Sequence, residues 1–293
     1  MNKDIGPLPY LAGGLAVAIW GATPAATAIL AREIPPIQIG ITRLAACATI
    51  LVPIALVFKP KLPNDRSGWG ALLVSALLGF FGSFMLQGLG IPRTSTTHAA
   101  LILTLTPVFT AIIQFILSKR WPKSLWWIGS TIALSGVATL VLGRNLAGGG
   151  NTSSLWGDAI VLVGAITVSI GYVAGARLSA RIGLFAATTW SLLIGAAITL
   201  PALPTMVEDL APVTLVGWTA LFILAVLCTL IGYAAWFWAL DQGGVASIAP
   251  LQFGQPVVSL IIAVTILSES LSATIALALC LILGGVYLSR RAL

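Results

Sequence analysis

The first candidate for chemistry is the only histidine of the chain, in the stretch TSTTHAALILTLTPVF at residues 94–109. His98 follows four hydroxyl residues and opens a long apolar run. Hydroxyl side chains cap the free N–H groups at a helix start, so the pattern predicts His98 in the first turn of a helix. The imidazole there either hydrogen-bonds at a membrane interface or lines the outer mouth of a cavity and titrates near neutral pH. No second histidine, cysteine pair or carboxylate is expected within its reach, so no catalytic role is predicted.

Polar side chains inside the apolar runs form a second group of candidates. Thr106, Thr110 and Gln114 are spaced four residues apart and share one helix face. Gln252 and Gln255 form a similar face near the C-terminus. Polar groups are costly in hydrocarbon, so they face either another helix, where they hydrogen-bond, or a water-filled cavity. In the second case the two glutamines are expected to bind the ammonium and carboxylate of an amino acid without carrying charge.

Arg43 is the one basic residue deep inside an apolar run. Its guanidinium either snorkels along the helix to the interface or binds an anion within the membrane, such as a substrate carboxylate or a lipid phosphate. The position is central, and an ionisable group in a membrane span is a functional candidate by default. Arg43 is therefore predicted to bind substrate.

Four aromatic residues away from the ends of the runs are candidates for substrate contact: Trp20, Tyr172, Tyr233 and Trp236. Aromatic residues in membrane proteins commonly pack between helices, and that reading stays open for each of them. As a set, they are expected to form an uncharged cavity that stacks on flat apolar groups. Tyr172 also lies in GYVAG, a small-xxx-small pattern that permits close helix approach.

Pro107 and Pro256 lie in the middle of apolar runs. A proline inside a helix removes one backbone hydrogen bond and kinks the helix. The kink is either static curvature or a hinge that moves as a cavity opens to alternate sides. The sequence therefore predicts two hinges at equivalent positions.

Motifs for enzyme chemistry do not occur in this sequence. It has no H-E-x-x-H, Walker or Rossmann glycine pattern, and its apolar runs contain no paired carboxylates. Cys47, Cys228 and Cys280 do not have the spacing of metal ligands. We therefore predict no enzyme activity, no cofactor and no metal.

The elements that must position these residues are membrane helices. The chain has 293 residues, 58% of them hydrophobic and 8% charged, and its mean hydropathy is +1.05. A soluble domain is about one quarter charged, so the expected solvent for this chain is lipid. A spanning helix takes roughly 20 apolar residues, and the sequence has ten such runs. Their approximate bounds are 8–31, 37–58, 69–89, 97–117, 125–143, 155–176, 184–203, 213–239, 246–267 and 272–289.

Basic residues are distributed unevenly over the loops between these runs. With the N-terminus in the cytoplasm, eleven Lys and Arg fall on the cytoplasmic side and three on the outer side. This positive-inside bias predicts ten spans with both termini cytoplasmic, in a bacterial inner membrane. The same distribution accounts for the net charge of +7 with the lipid bilayer as partner and no nucleic acid. The oligomeric state stays open.

The chain also resembles itself at a separation of 149 residues. Pro107 falls on Pro256, and Gly136 falls on Gly285. A polar, glycine-rich segment at 144–155 separates the two halves.

This self-similarity predicts two repeats, residues 1–145 and 152–293, that together form one transport domain. Each repeat holds five runs, and because five is odd, the second repeat must enter the membrane inverted relative to the first. Inverted repeats are typical of transporters whose substrate site lies near the midplane between the halves.

The segments PRTSTTHAALILTLTPVF and LDQGGVASIAPLQFGQPVV resemble the EamA-type branch of the drug/metabolite transporter superfamily. Within that branch the chain is similar to the YddG-type exporters of aromatic and other amino acids. The resemblance covers both halves and implies an all-α integral membrane protein of ten transmembrane helices in two inverted five-helix repeats. One departure is that Glu269 stands in LSESL of the second half, where LSKRW of the first half has Lys119.

These features together predict a secondary transporter that exports small metabolites, aromatic and other neutral amino acids foremost, by alternating access. The alternative is a membrane-embedded enzyme acting on a lipid-linked substrate, which requires clustered carboxylates, histidines or a metal site. A third reading, a structural subunit of a larger complex, requires more docking surface than short loops offer. Because no acid is expected in mid-membrane, we expect facilitated transport or exchange that depends weakly on a proton gradient.

Overall fold

A computed structural model describes residues 6–119, 121–143, 154–243, 248, 251–252 and 254–291. Within these residues the chain is helical and contains no strand. The first five helices are α1 (Pro7–Leu30), α2 (Pro36–Phe58), α3 (Arg66–Arg93), α4 (Thr96–Ser118) and α5 (Ser124–Gly143). The next five are α6 (Leu155–Ile182), α7 (Leu184–Leu210), α8 (Leu215–Gly243), α9 (Gly254–Thr265) and α10 (Ala273–Arg291).

The helices coincide with the ten apolar runs of the sequence. Seven of the described helices, α1 to α4 and α6 to α8, are long and apolar enough to cross a membrane. The helix α5 has 20 residues, and α9 is a shorter apolar helix. The prediction of spans is thus confirmed for seven helices by length and composition, and the count of ten stays a prediction. The ninth run, 246–267, lies partly outside the described residues.

Two helices are interrupted near the middle of the bundle. Helix α1 breaks at Ala22, and α4 breaks between Leu103 and Thr106. Pro107 is the second residue of the segment that follows the break in α4, so it lies at a helix start and not inside a continuous helix. The Thr106 hydroxyl donates to the Leu103 carbonyl at 2.7 Å, and this is the carbonyl whose helical N–H partner the proline removes.

Local irregularities recur at the separation seen in the sequence. Helix α3 contains a π-helical segment at Ser75–Gly82, and α8 contains one at Ile223–Ile231. The two segments end 149 residues apart. Asp65 and Thr214, also 149 residues apart, cap the first turns of α3 and α8 with their side chains. The two halves therefore share local structure at the predicted register.

Small residues allow the closest helix crossings. A Cβ atom built on Gly171 of α6 would lie 2.0 Å from the Cα atom of Gly79 in α3. A Cβ atom on Gly285 of α10 would lie 2.3 Å from the backbone nitrogen of Ala133 in α5. Close packing of this kind stabilises helix pairs in lipid, where burial of apolar surface gives no driving force. The small-xxx-small prediction for GYVAG is confirmed by the Gly171 contact.

One aromatic residue lies elsewhere than the sequence predicts. Trp126, at the start of an apolar run, is expected at the membrane interface. Its side chain is only 1% exposed, and its ring packs edge-on against Phe115 of α4, with centroids 5.0 Å apart. The ring therefore packs inside the bundle against α4 and does not face outwards at the end of its run.

Candidate functional site

The bundle has two ends that differ in their polar contacts. The His98 end holds the first turns of α4 and α6 and the loop residue Glu269. The Arg181 end holds the first turn of α3 and the last turns of α6 and α10. These two names are used below because neither end is yet assigned to a side of the membrane.

A cavity of about 1010 Å³ lies in the middle of the bundle and extends towards the Arg181 end. Its central part is lined by Trp20, Arg43 and Phe84, and its far part by Tyr287 and Arg291 near the C-terminus of α10. Both halves of the chain contribute to its wall. No Asp or Glu lines it among the residues that the structure describes. The cavity is large enough for a small metabolite.

Arg43 is the charged residue of the central part of the cavity. Its side chain is 5% exposed, and its guanidinium carbon lies 3.8 Å from the centroid of the Phe84 ring. Its Nε donates to Thr229 Oγ1 at 3.0 Å, and that hydroxyl donates onwards to the Leu224 carbonyl at 2.8 Å. These contacts hold the guanidinium plane within the wall, so Arg43 does not snorkel to an interface.

Aromatic side chains surround the same part of the cavity. Trp20, Tyr172 and Tyr233 line it, and the two tyrosine hydroxyls lie 3.0 Å apart. The Trp20 ring packs edge-on against Tyr233 with centroids 5.3 Å apart, and its Nε1 donates to the Cys228 carbonyl at 2.8 Å. Trp20 and Tyr233 are therefore held by neighbouring groups, as a surface for stacking requires.

Trp236 is placed differently from the other predicted aromatic residues. It is 6% exposed, packs against Trp20 with centroids 5.5 Å apart and is absent from the cavity wall. It supports the Trp20 ring from behind. In place of substrate binding, we therefore assign Trp236 the role of supporting the Trp20 ring.

The remaining lining candidates fall into two groups. Thr106 and Thr110 line the cavity, but their hydroxyls donate to carbonyls of their own helix. Gln252 and Gln255 line it as well, together with Pro107 and Pro256. The glutamines and the prolines thus meet at one wall of the cavity, where the sequence predicts a site and two hinges. The roles of these residues stay predictions.

His98 lies in the first turn of α4, as predicted, but not at the mouth of the cavity. Its backbone N–H donates to Ser95 Oγ at 3.1 Å, and its side chain is 2% exposed. Its Nδ1 lies 3.2 Å and 3.3 Å from the two carboxylate oxygens of Asp158. Thr94 Oγ1 also donates to that carboxylate. The expectation that no carboxylate is within reach of His98 is therefore wrong.

Further carboxylates close the His98 end by joining the two halves. Glu269 accepts from the backbone N–H groups of Thr96 and Thr97 at 2.7 Å and 3.0 Å. A carboxylate at a helix N-terminus satisfies free N–H groups and is favoured by the helix dipole. Glu33 accepts from the backbone and hydroxyl of Thr214, each at 2.7 Å. This end of the cavity is sealed by contacts between α4, α6, α8 and the loop before α10.

One further polar contact lies at each end of the bundle. At the His98 end, Gln38 donates to Asp209 at 2.5 Å. At the Arg181 end, Arg181 donates to Asp65 at 2.5 Å, and this hydrogen bond, opposed by a smaller desolvation effect, lowers the pKa of the exposed Asp65 carboxyl. The Arg181 contact is exposed, so it contributes little to stability. The polar seal is concentrated at the His98 end.

Several contributing residues were not predicted from the sequence. Phe84 and Thr229 hold Arg43, and neither stands out in an apolar run. Asp158 and Glu269 could have been identified from the sequence, because a carboxylate near the end of a membrane helix requires a partner. The chain has only eight Asp and Glu, so each could have been assigned a partner helix.

The two prolines at the cavity wall carry a kinetic prediction. Pro107→Ala and Pro256→Ala should slow transport more than they weaken substrate binding, because each restores a backbone N–H near the start of a helical segment at the cavity wall. One such hydrogen bond inside a membrane protein is worth about 1 kcal/mol, so turnover should fall about fivefold. Turnover and half-saturation from counterflow kinetics give the check, with Pro53→Ala in α2 as a control because Pro53 does not line the cavity. Unchanged turnover in both variants would leave the prolines as static kinks.

A helical membrane bundle with a metabolite-sized cavity that is sealed at one end is the architecture of a membrane transporter. The sequence profile of the EamA-like transporter family matches residues 8–142 and 155–291. The chain belongs to this family and is an integral membrane protein.

Similar proteins agree with this class. The chain is 29% identical to the uncharacterized transporter YdeK of Bacillus subtilis over 277 residues, 92% of this chain and 91% of that protein. It is 27% identical to the uncharacterized inner membrane transporter YedA of Escherichia coli K12 over 270 residues, 92% of this chain and 86% of that protein. A crystal structure with 21% sequence identity matches with a TM-score of 0.62 and covers 97% of this chain and 98% of its own. That likeness concerns the fold alone.

Proposed function

We propose that the protein is a secondary transporter of a bacterial inner membrane that exports small metabolites by alternating access. Aromatic and other neutral amino acids, the substrates of the YddG-type exporters that the chain resembles, are the leading candidates. The observation that carries the proposal is the central cavity, which is sealed at the His98 end and is lined by Arg43, Trp20 and Tyr233. The substrate carboxylate binds Arg43, and its side chain stacks on the aromatic rings.

The predicted pair of inverted five-span repeats is the basis of the alternating-access part of the proposal. The π-helical segments of α3 and α8 and the capping residues of the same helices recur at one separation. In an inverted pair, equivalent segments from the two halves exchange environments when the cavity changes sides. The sealed His98 end and the cavity at the Arg181 end are one of the two states in this scheme.

The test is counterflow in proteoliposomes. Vesicles loaded with unlabelled phenylalanine should accumulate labelled phenylalanine transiently, because a carrier exchanges label across the bilayer. Arg43→Gln and Trp20→Ala should reduce the accumulation, whereas Arg32→Gln, an exposed charge, should not. An imposed pH gradient should change the initial rate little, and His98→Ala should not alter that response, because His98 lies outside the cavity wall. A wild-type protein that gives no counterflow with any small metabolite would sink the proposal.

The orientation of the bundle gives a separate prediction. The Arg181 end should be cytoplasmic, with both termini, and the His98 end should be outside. In a chain whose three cysteines are replaced by alanine, Lys61→Cys should react with an impermeant maleimide only from the cytoplasmic side. Glu208→Cys, at an exposed position of α7, should react only from outside. The reverse labelling pattern would show that the topology is inverted. Residues 144–153 of the linker lie outside the described residues, and the test does not use them.

A further inference from the structure

Arg43 is a buried cation with hydrogen-bonding capacity to spare. Its one hydrogen bond within the described residues comes from Nε, and neither ion pair of the described residues includes it. Arg43 lines the cavity, and its two terminal nitrogens carry four N–H donors in the planar fork that matches a carboxylate. A cation in a site of low dielectric favours a bound counter-ion.

The charge of the cavity wall is entirely positive among the described residues. Its charged side chains are Arg43 in the centre and Arg291 at the Arg181 end, and none of its residues is Asp or Glu. Arg43 therefore sets the sign of the charge in the central part of the cavity.

Among the described residues of the wall, the groups that could receive a substrate ammonium are neutral. They are amide and hydroxyl oxygens of residues such as Gln255, Tyr172 and Tyr233. In the same cavity an ammonium is repelled by Arg43. A carboxylate without an ammonium gains the attraction of Arg43 and avoids this repulsion. The wall thus distinguishes substrates by net charge as well as by shape.

We infer that the site selects monoanionic carboxylates with an aromatic or branched apolar group, and that the membrane potential drives their export. The inference rests on the proposed transport function and names the substrates that the site prefers, which are 2-hydroxy and 2-oxo acids and N-acylated amino acids, over the free amino acids. An anion that leaves through a uniporter carries one negative charge out of a negative interior. A potential of 100 mV then displaces its distribution about 50-fold. No proton-binding residue is needed for this energy coupling, and no titratable carboxylate or histidine of the described residues lines the cavity.

Three probes of the same shape separate charge from aromatic stacking. Phenylalanine is a zwitterion, 3-phenyllactate replaces its ammonium by a hydroxyl and is an anion, and phenylalanine amide lacks the carboxylate and is mainly a cation at about pH 6. We expect the half-saturation concentration for phenyllactate to be at least about tenfold lower than for phenylalanine, because both probes offer Arg43 the same carboxylate and only phenylalanine adds an ammonium that Arg43 repels in a site of low dielectric. Phenylalanine amide should not be transported. Counterflow of each labelled probe and thermal stabilisation of the purified protein give the two readouts.

The dependence of transport on membrane potential distinguishes an Arg43 that binds the substrate from an Arg43 with only a structural role. Proteoliposomes with a potassium diffusion potential, negative inside, should release labelled phenyllactate until its distribution shifts about 50-fold per 100 mV. Phenylalanine release and one-for-one phenyllactate exchange move no net charge, so neither should respond. Arg43→Gln should lower phenyllactate transport about 100-fold, as loss of one partner of a buried charged pair does, and phenylalanine transport much less.

Matched variants show whether a loss of transport comes from the binding site or from misfolding. Arg43→Lys keeps the charge but not the fork, and it should retain the response to potential at reduced affinity. Arg291→Gln, an exposed charge at the wide part of the cavity, should weaken phenyllactate uptake only a few-fold and only at low salt. Unfolding temperatures of all variants show whether a loss reflects the site or the fold.

The outcomes separate the inference from the function on which it rests. Phenylalanine transport with no preference for phenyllactate and no response to potential would overturn the inference and leave the transport function intact. An equal loss of both probes in Arg43→Gln would do the same and assign Arg43 a structural role. If anionic lipid stabilises the protein through Arg43 while phenyllactate does not, the guanidinium binds a headgroup and the inference is wrong. Absence of counterflow for every probe would contradict both proposals.

Discussion

Gly171→Ala should lower the apparent unfolding temperature of the purified protein by about 2–5 °C, although alanine favours helix formation. The Cβ atom would lie 2.0 Å from the Cα and 2.5 Å from the backbone nitrogen of Gly79, so α3 and α6 must separate along their crossing. Overpacking of this kind costs about 1–3 kcal/mol, and the gain in helix propensity is about 1 kcal/mol. The cost of the clash therefore exceeds the gain in helix propensity, and Gly171→Val should yield little folded protein.

Two controls make the prediction specific to the crossing. Gly70→Ala lies in α3, where nothing is within 4 Å of the added carbon, and it should leave the unfolding temperature unchanged or raise it. Gly175→Ala lies one turn along α6, where the added carbon meets only the Ser75 hydroxyl at 3.2 Å, and a small effect is expected. The measurement is thermal unfolding in detergent followed by size-exclusion chromatography. An unfolding temperature of Gly171→Ala at or above wild type would show that this crossing has room.

The sequence predicts this fold largely because, in a membrane protein, the length of an apolar run indicates where a helix spans the bilayer. Runs of about 20 apolar residues have few alternatives in a membrane, so the helix bounds follow from hydropathy and from Pro, Gly and charge. Gly171 and Arg43 were also predictable, since a small-xxx-small pattern and an intramembrane charge each carry a physical meaning. These features depend on residue type and local spacing alone.

Which face of each helix points inward was harder to predict. In a soluble helix the apolar face marks the core, but in lipid both faces are apolar and that signal is lost. The burial of Trp126 was missed for this reason, since its ring turns into the bundle. The carboxylates that hold the first turn of α4 were missed for a related reason. Asp158 lies 60 residues away in sequence, and Glu269 lies still farther, so only the packing of the helices brings them to α4.

The second large effect is expected at the seal of the His98 end. Glu269→Gln and Asp158→Asn should each favour opening of this end about tenfold, and the double variant about 100-fold. Glu269 holds the first turn of α4 through two backbone N–H groups, and Asp158 holds the same turn through His98 and Thr94. Hydrogen bonds to a charged group contribute about 1.5–3 kcal/mol, so replacing either carboxylate by an amide weakens the sealed state. The two sets of contacts share no donor and both are lost on opening, so the two tenfold effects should multiply.

Accessibility from the His98 side measures this opening directly. Leu103→Cys places a thiol at the cavity wall on α4, where an impermeant maleimide added on the His98 side reaches it only when this end opens. In a chain lacking the native cysteines, its labelling rate should rise in the order wild type, either single variant, double variant. Glu208→Gln serves as the matched control, because it removes an exposed carboxylate from α7 that makes no hydrogen bond within the described residues. Equal labelling of the double variant and this control would mean that the carboxylates shape the end of α4 without governing its opening.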